Sequence, residues 1–342
     1  MYNNRQITQR ASGCLFGLAF GDALGAKTEF LSREDILRRF PPSGPQAPEG
    51  NPARVTDDTQ MTLAVGEALR TTTRPYTAST LEESLRQAFI RWNESPDNNR
   101  APGTTCISAC NNLAHGLPWY EATIAHSKGC GANMRVAPVG LLPQGQDGIT
   151  VTTRGAIAQF QAALTHGHPT ALTAADITAA TIADLSQGGD PSGLPERLRA
   201  YALSQRTIYH MDWLGPLWQR PGISSSEEFI AQGWDECLAV LDRLTTALKA
   251  INREDDPCQA TGEGWIAEEA FATALLCFLL FPDDPIAAIR HAAVTSGDSD
   301  SIACITGAFA GTHMGLAAWP AEWVNRIEYR DRLALLGSAW DN

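Results

Sequence analysis

Glycine recurs at every fourth position in two segments of this 342-residue sequence, and this repeat restricts how the chain can fold. The two sets are Gly13, Gly17, Gly21 and Gly25, and Gly307, Gly311 and Gly315. Glycine inside a helix costs about 1 kcal/mol relative to alanine, so such a repeat needs a compensating gain. Residues four apart lie in one stripe on a helix, where missing side chains let another backbone approach closely. We therefore expect two central, tightly packed helices, each a candidate partner for the other.

Helical periodicity continues along most of the chain and predicts an all-α fold. Predicted helices cover 8–26, 57–72, 80–93, 104–114, 151–166, 173–187, 193–206, 225–251, 265–281, 284–295, 300–316 and 321–338. Loops rich in Pro, Gly, Asn or Asp separate them, but none of these loops marks a clear linker. We predict a flexible N-terminal segment at 1–10 and a single compact, orthogonal multi-helix domain at 11–342.

Composition and charge exclude several classes of protein. The net charge is −12 and no run of Lys or Arg is present, which argues against nucleic-acid binding. The longest apolar run, 270–281, is too short to span a bilayer, and the N-terminus lacks the pattern of a secretory signal. The eight cysteines are scattered without zinc-site spacing, as expected of reduced thiols. These features predict a cytoplasmic protein without membrane or nucleic-acid partners.

Two acidic clusters each precede an apolar, helix-periodic run. One is "TDDT" at 56–59 and the other is "DSDS" at 298–301. A single Asp or Ser is enough to cap a helix, so the remaining carboxylates would repel one another unless a cation lies among them. Mg²⁺ and Mn²⁺ prefer carboxylate and hydroxyl oxygens. The two clusters are therefore expected to face each other across a cleft and to hold two divalent ions.

Six blocks of sequence, including these clusters, occur in an order typical of one protein family. They are "GCLFGLAFGDALGAKTEF" (13–30), "TDDTQMTLAVGEAL" (56–69), "GCGANMRVAPVGLL" (129–142), "THGHP" (165–169), "GEGWIAEEAFATALLCFL" (262–279) and "SGDSDSIACITGAFAG" (296–311). From about residue 11 to about residue 317 the chain resembles the ADP-ribosylglycohydrolase family, also called the dinitrogenase-reductase-activating glycohydrolase type. The resemblance implies an all-α fold with two Mg²⁺ (or Mn²⁺) ions that removes ADP-ribose from modified side chains.

The resemblance also assigns metal ligands and catalytic residues. The implied metal ligands are Thr56, Asp57, Asp58, Asp298, Asp300 and Ser301. The family often has glycine and threonines where this chain has Ser296, Ser299 and Ser301, but serine keeps the ligating hydroxyl. Catalytic roles fall to Glu29, Asp58 and Asp298. A carboxylate at Glu29 could orient water or transfer a proton as the bond at the ribose C1 breaks.

Further residues are implied as contacts to the substrate. They are Asp22, Gly103, Thr104, Gly129, Gly131, Ala132, Asn133, Arg135 and His168. Small residues in the "GCGANMR" block let backbone amides approach a ligand, and Asn133 and Arg135 add donors suited to phosphate or ribose. His166 is expected to be a structural hydrogen-bonding residue.

The function expected from the resemblance is hydrolysis of an ADP-ribosylated protein substrate, with arginine as the first choice of acceptor. One alternative keeps the enzyme but changes the acceptor to serine, a nucleic-acid end or a free metabolite. A second alternative is an immunity protein that binds and occludes an ADP-ribosyltransferase toxin, with the segment 1–10 as the occluding part.

Overall fold

The two glycine repeats lie on two long helices that pack directly on each other. The computed structural model describes residues 8–341. Its helices are numbered α1–α18 along the chain, and α1 (Arg10–Gly25) runs antiparallel to α16 (Ser299–Met314). A Cβ atom on Gly13 would collide with the backbone of Gly311, and one on Gly307 would collide with the backbone of Gly17. The prediction of two central, closely packed helices is confirmed.

The described residues contain eighteen α-helices, four short 3₁₀ turns and isolated β-bridges, but no β-strand. Besides α1 and α16, the helices are α2 (Arg33–Arg39), α3 (Asp57–Thr71), α4 (Ala78–Asn93), α5 (Thr104–Ala114), α6 (Trp119–Ala122), α7 (Ala137–Gly140), α8 (Val151–Ala163), α9 (Pro169–Ser186), α10 (Leu194–Gln205), α11 (Met211–Leu214), α12 (Ser226–Ala250), α13 (Cys258–Thr261), α14 (Ala267–Leu280), α15 (Pro285–Ala292), α17 (Ala321–Arg326) and α18 (Arg330–Ser338). The all-α prediction is confirmed.

The boundaries differ from the predicted ones at several places. The helix predicted at 321–338 is two helices: the backbone is extended at Ile327 (ψ 140°), which ends the first, and left-handed at Tyr329 (φ 56°), which precedes the second. Helix α2 is absent from the prediction, since only Ile36 of its seven residues is buried and so short an element shows no periodicity. Most of the predicted N-terminal segment, residues 1–7, lies outside the described residues. Arg10 already belongs to α1, and its guanidinium donates to the carbonyls of Thr312 and His313 at 2.8 and 2.6 Å.

Helices α1, α9, α14 and α16 are buried on nearly every side and are mostly apolar. A helix with this pattern belongs in the centre of a protein rather than on its surface. Helix α3 also packs on α1 and α16, and its first turn lies beside Asp22 of α1 and Asp300 of α16. The fold therefore brings the beginnings of α3 and α16 together next to the C-terminal half of α1.

Two predictions about the chain as a whole can be compared with the described residues. No helix among them is both long and apolar enough to cross a membrane. All eight cysteines are free thiols, and seven of them are buried. This agrees with the expectation of reduced thiols, and a buried free thiol behaves as a small apolar residue.

Candidate metal and substrate site

Asp22 of α1 fixes the first turn of α3. Its buried carboxylate accepts hydrogen bonds from the backbone N–H groups of Thr56 and Thr59, at 2.9 and 3.0 Å, and from both hydroxyls, at 2.8 and 2.5 Å. Such bonds satisfy N–H groups that have no partner inside a helix. Asp22 thus fixes the residues on either side of Asp57 and Asp58, and in this way it positions their carboxylates.

The two acidic helix starts meet, as the sequence predicted. The Ser301 hydroxyl at the start of α16 donates to both carboxylate oxygens of Asp58, at 3.2 and 3.1 Å. The Thr56 hydroxyl lies 3.5 Å from a carboxylate oxygen of Asp300. The first turn of α3 therefore faces the first turn of α16, although the two are about 240 positions apart in the sequence.

Five carboxylates converge here, and we call them the acidic cluster: Glu29, Asp57, Asp58, Asp298 and Asp300. Burial and the charges of Asp298 and Asp57 raise the pKa of Glu29 to about 8. Burial raises the pKa of Asp57 to about 7. The pKa values of Asp58 and Asp300 lie well above the ordinary range because of burial and then the neighbouring carboxylates. Without a cation, the cluster can be buried only if it takes up protons.

The donor set fits divalent cations. The carboxylates of Glu29, Asp298 and Asp300 present oxygen atoms that all lie within 4.8 Å of one another. The Thr56 hydroxyl has one proton, and its 2.8 Å bond to Asp22 uses it, so both oxygens of the Thr56–Asp300 contact present lone pairs to each other. Thr56 and Asp300 would hold a divalent cation, which would offset this repulsion, and an all-oxygen set of this kind suits Mg²⁺ or Mn²⁺.

The acidic cluster lines a cavity of about 360 Å³. Ten of the residues expected from the sequence line it: Glu29, Asp57, Asp58, Gly103, Thr104, Gly129, Gly131, Asp298, Asp300 and Ser301. Asp57 accepts a 3.3 Å bond from the backbone N–H of Gly103. The loop before α5, the glycine-rich turn at 129–131 and the acidic cluster therefore form walls of one cavity.

The other expected residues lie outside the cavity lining. They are Asp22, Thr56, Ala132, Asn133, Arg135 and His168. Arg135 is fully buried: its guanidinium donates to Gln161 and Thr165 and lies 4.4 Å from the Phe89 ring centroid. Its donors are thus occupied by groups from the core.

Asn133 and His168 are also engaged in local structure. The Asn133 amide donates to the carbonyl of Ala267 at 3.1 Å, which ties the glycine-rich turn to α14. The His168 ring accepts a 3.2 Å bond from the N–H of Thr170 and caps α9. His166, for which a structural role is expected, does line the cavity, and its Nδ1 forms a 2.8 Å hydrogen bond with Thr165. Burial lowers the pKa of His166 to about 3, so its ring is neutral.

Several cavity residues escaped the sequence analysis, notably Phe30, Cys130 and Trp265. The Cys130 thiol donates to Asp298 at 2.8 Å, and burial beside that carboxylate raises the pKa of the thiol well above its usual value. Phe30 has a left-handed backbone, φ 64°, which costs an aromatic residue roughly 1–2 kcal/mol. Phe30 and Trp265 do stand in the quoted blocks, but nothing in the sequence shows that they point into the same cavity.

Comparisons with known proteins indicate the family and the fold of this chain. The ADP-ribosylglycohydrolase family matches residues 3–341. ADP-ribosylarginine hydrolase Tri1 of Serratia proteamaculans is 26% identical over 338 residues, which are 96% of this chain and 77% of that protein. ADP-ribosyl-[dinitrogen reductase] glycohydrolase of Rhodospirillum rubrum is 30% identical over 167 residues, 48% of this chain and 53% of that protein. A solved structure described as an ADP-ribosylglycohydrolase-related protein complex superposes with a TM-score of 0.67 at 21% identity, covering 97% of this chain and 96% of its own.

Proposed function

Since this chain belongs to the ADP-ribosylglycohydrolase family, we propose that it is a metal-dependent hydrolase that releases ADP-ribose from ADP-ribosylated protein side chains. The observation that supports this most directly is the acidic cluster at the end of an open cavity. Five carboxylates gathered there without a Lys or Arg among the described lining residues would be unfavourable in a purely structural role. Two divalent cations would balance most of that charge.

The site residues divide into two groups by what they would do. Thr56, Asp58 and Asp300 would hold the cations, with Asp57, Asp298 and Ser301 completing the set. When bound, such cations supply a fixed positive charge that orients the ribose hydroxyls and polarises a water molecule. The N-termini of α3 and α16 also point their partial positive charge at this end of the cavity, which favours an anionic substrate.

Glu29 offers an oxygen to the same donor set and would in addition work on the reacting atoms. It follows α1 in a turn held by the hydrogen bond from its own N–H to the Gly25 carbonyl at 2.9 Å. A carboxylate in this position can orient the attacking water and accept its proton as the bond between the ribose C1 and the acceptor breaks. The products are free ADP-ribose and the unmodified side chain.

Arginine is the acceptor we propose first, and serine second. The name of the Serratia proteamaculans relative, which is 26% identical, supports arginine. Occlusion of a transferase toxin stays a prediction, because most of the segment on which it depends lies outside the described residues.

The proposal is tested by measuring free ADP-ribose released from two synthetic peptides, one modified on arginine and one on serine. Each is incubated with the protein in Mg²⁺ and, in parallel, in EDTA. We expect release from the arginine peptide in Mg²⁺, little release in EDTA, and recovery when Mg²⁺ is restored. Release that is equally fast in EDTA would contradict metal dependence. Release from neither peptide would contradict the proposed activity on protein side chains.

A further inference from the structure

Two exposed aromatic rings lie stacked at the edge of the cavity. Phe30 is 68% exposed and Trp265 is 39% exposed, yet their rings are nearly parallel, with centroids 5.6 Å apart and an interplanar angle of 17°. Both line the cavity, and Phe30 directly follows Glu29. They form one aromatic pair at the edge of the site, in which each ring keeps one face that the other ring does not cover.

The protein backbone holds both rings in place. The Trp265 carbonyl accepts from the N–H of Cys130 at 3.2 Å, and the N–H of Ala267 donates to Lys128 at 2.9 Å. Phe30 takes a left-handed backbone that bulky side chains rarely adopt, and most of its side chain is outside the core. Folding alone therefore gives no reason for an aromatic residue at position 30, whereas binding does.

The charge of the cavity indicates what the two rings would bind. The described lining residues carry five carboxylates and no Lys or Arg, and the His166 ring among them is neutral. The arginine–aromatic stacks within the described residues all use rings other than Phe30 and Trp265. A planar cation gains from both the aromatic faces and the nearby carboxylates, whereas a neutral nucleobase gains from stacking alone.

We infer that Phe30 and Trp265 bind the guanidinium group of the acceptor arginine by stacking, and that this contact favours arginine over serine as the acceptor. Guanidinium is planar and stacks on aromatic rings, whereas a serine acceptor offers neither a plane nor a charge. The inference rests on the proposed function, because it places the acceptor beside Glu29, where the bond would be cut.

The variant that isolates this contact is Phe30→Gly, since glycine adopts the left-handed backbone without strain and the fold should be retained. Four quantities are measured in Mg²⁺: KM for the arginine peptide, KM for the serine peptide, inhibition by agmatine as a free guanidinium compound, and the Kd of free ADP-ribose by calorimetry. We expect the arginine KM and the agmatine inhibition constant to rise about 10-fold. The serine KM and the ADP-ribose Kd should stay within about twofold.

Two further variants serve as controls. Phe30→Trp keeps an aromatic face and should retain most of the preference for the arginine peptide that Phe30→Gly loses. If Phe30 had a purely structural role, Phe30→Trp would not differ from Phe30→Gly in this way. Leu335→Ala, which shortens an exposed apolar side chain on α18 outside the cavity lining, should change none of the four quantities.

The outcomes separate this inference from the proposed function. A rise in the ADP-ribose Kd equal to the rise in the arginine KM would assign the rings to the nucleotide and overturn the inference. The inference would also be overturned if neither the KM for the arginine peptide nor the inhibition constant of agmatine changed. If the parent protein cleaves neither peptide, the proposed function fails, and agmatine binding to the parent and to Phe30→Gly, measured by calorimetry, decides the inference on its own. An equal affinity for agmatine, or none in either protein, would overturn it.

Discussion

Helices α1 and α16 meet in two ways along their length, and the two contacts have opposite physical character. Toward the end where α1 begins lies the glycine seam, formed by Gly13, Gly17, Gly307 and Gly311, where the two backbones touch. At the end where α16 begins lies the acidic cluster, where like charges are buried together. Close packing of the first kind stabilises a fold, whereas burial of the second kind costs stability. The comparison shows that one helix pair can combine close backbone packing with a buried cluster of carboxylates.

The largest expected effect comes from neutralising the acidic cluster. Asp298→Asn together with Asp300→Asn should lower kcat/KM for the arginine peptide by at least about three orders of magnitude, roughly 4 kcal/mol of transition-state stabilisation. The same double variant should be as stable as the parent, or more stable, when both are unfolded in urea with EDTA, because the substitutions relieve repulsion among carboxylates.

A matched control uses another helix-capping aspartate. Asp284 accepts from the N–H of Ala287 at the start of α15 and lies on the surface. Asp284→Asn should leave both activity and stability nearly unchanged, since asparagine caps about as well. If the double variant retains hydrolysis, the acidic cluster is not needed for activity. If it unfolds far more easily than the parent in EDTA, the acidic cluster stabilises the fold as the seam does, and the contrast between them is wrong.

The next effect concerns the seam. Gly311→Ala should lower the free energy of unfolding by about 2–3 kcal/mol, because the new methyl group meets the rigid backbone of Gly13. Alanine normally stabilises a helix relative to glycine by about 1 kcal/mol, so the expected sign is the reverse of the intrinsic preference.

Gly66 of α3 provides the comparison for this measurement. A methyl group there meets the side chain of Leu336, which can move, rather than a backbone. Gly66→Ala should therefore cost much less than Gly311→Ala in the same urea titration. Equal stability of the two variants would mean that backbone contact in the seam contributes little.

The seam and the cluster were both predictable from the sequence because each leaves a signal on both partners. The glycine repeat appears in α1 and again in α16, and an acidic helix start appears in α3 and again in α16. Glycine inside a helix and neighbouring carboxylates at a helix start both cost stability, and nothing within one helix compensates for that cost. The pairing of the two partners then follows without knowledge of the path of the intervening chain.

The rest of the cavity could not be predicted in this way. Arg135 has the residue type expected of a phosphate ligand, but its direction is set by Phe89 and Gln161, which come from other helices. Phe30 and Trp265 are 235 positions apart, and neither carries a pattern that points to the other. Residue type indicates which chemistry is available, whereas tertiary packing decides which side chains reach the cavity.

The smallest expected effect concerns Asp22, which lies on the seam helix but serves the cluster. Both its oxygens accept hydrogen bonds from N–H and O–H groups of Thr56 and Thr59, so the NH₂ of an asparagine would face donors and leave some without a partner. Asp22→Asn should therefore lower the free energy of unfolding in EDTA by about 1–2 kcal/mol. Asp300→Asn, measured alongside it, should leave that free energy unchanged or raise it, because Asp300 faces other carboxylates. If both substitutions shift stability in the same direction, Asp22 belongs energetically with the acidic cluster, and its assignment as the support of α3 is wrong.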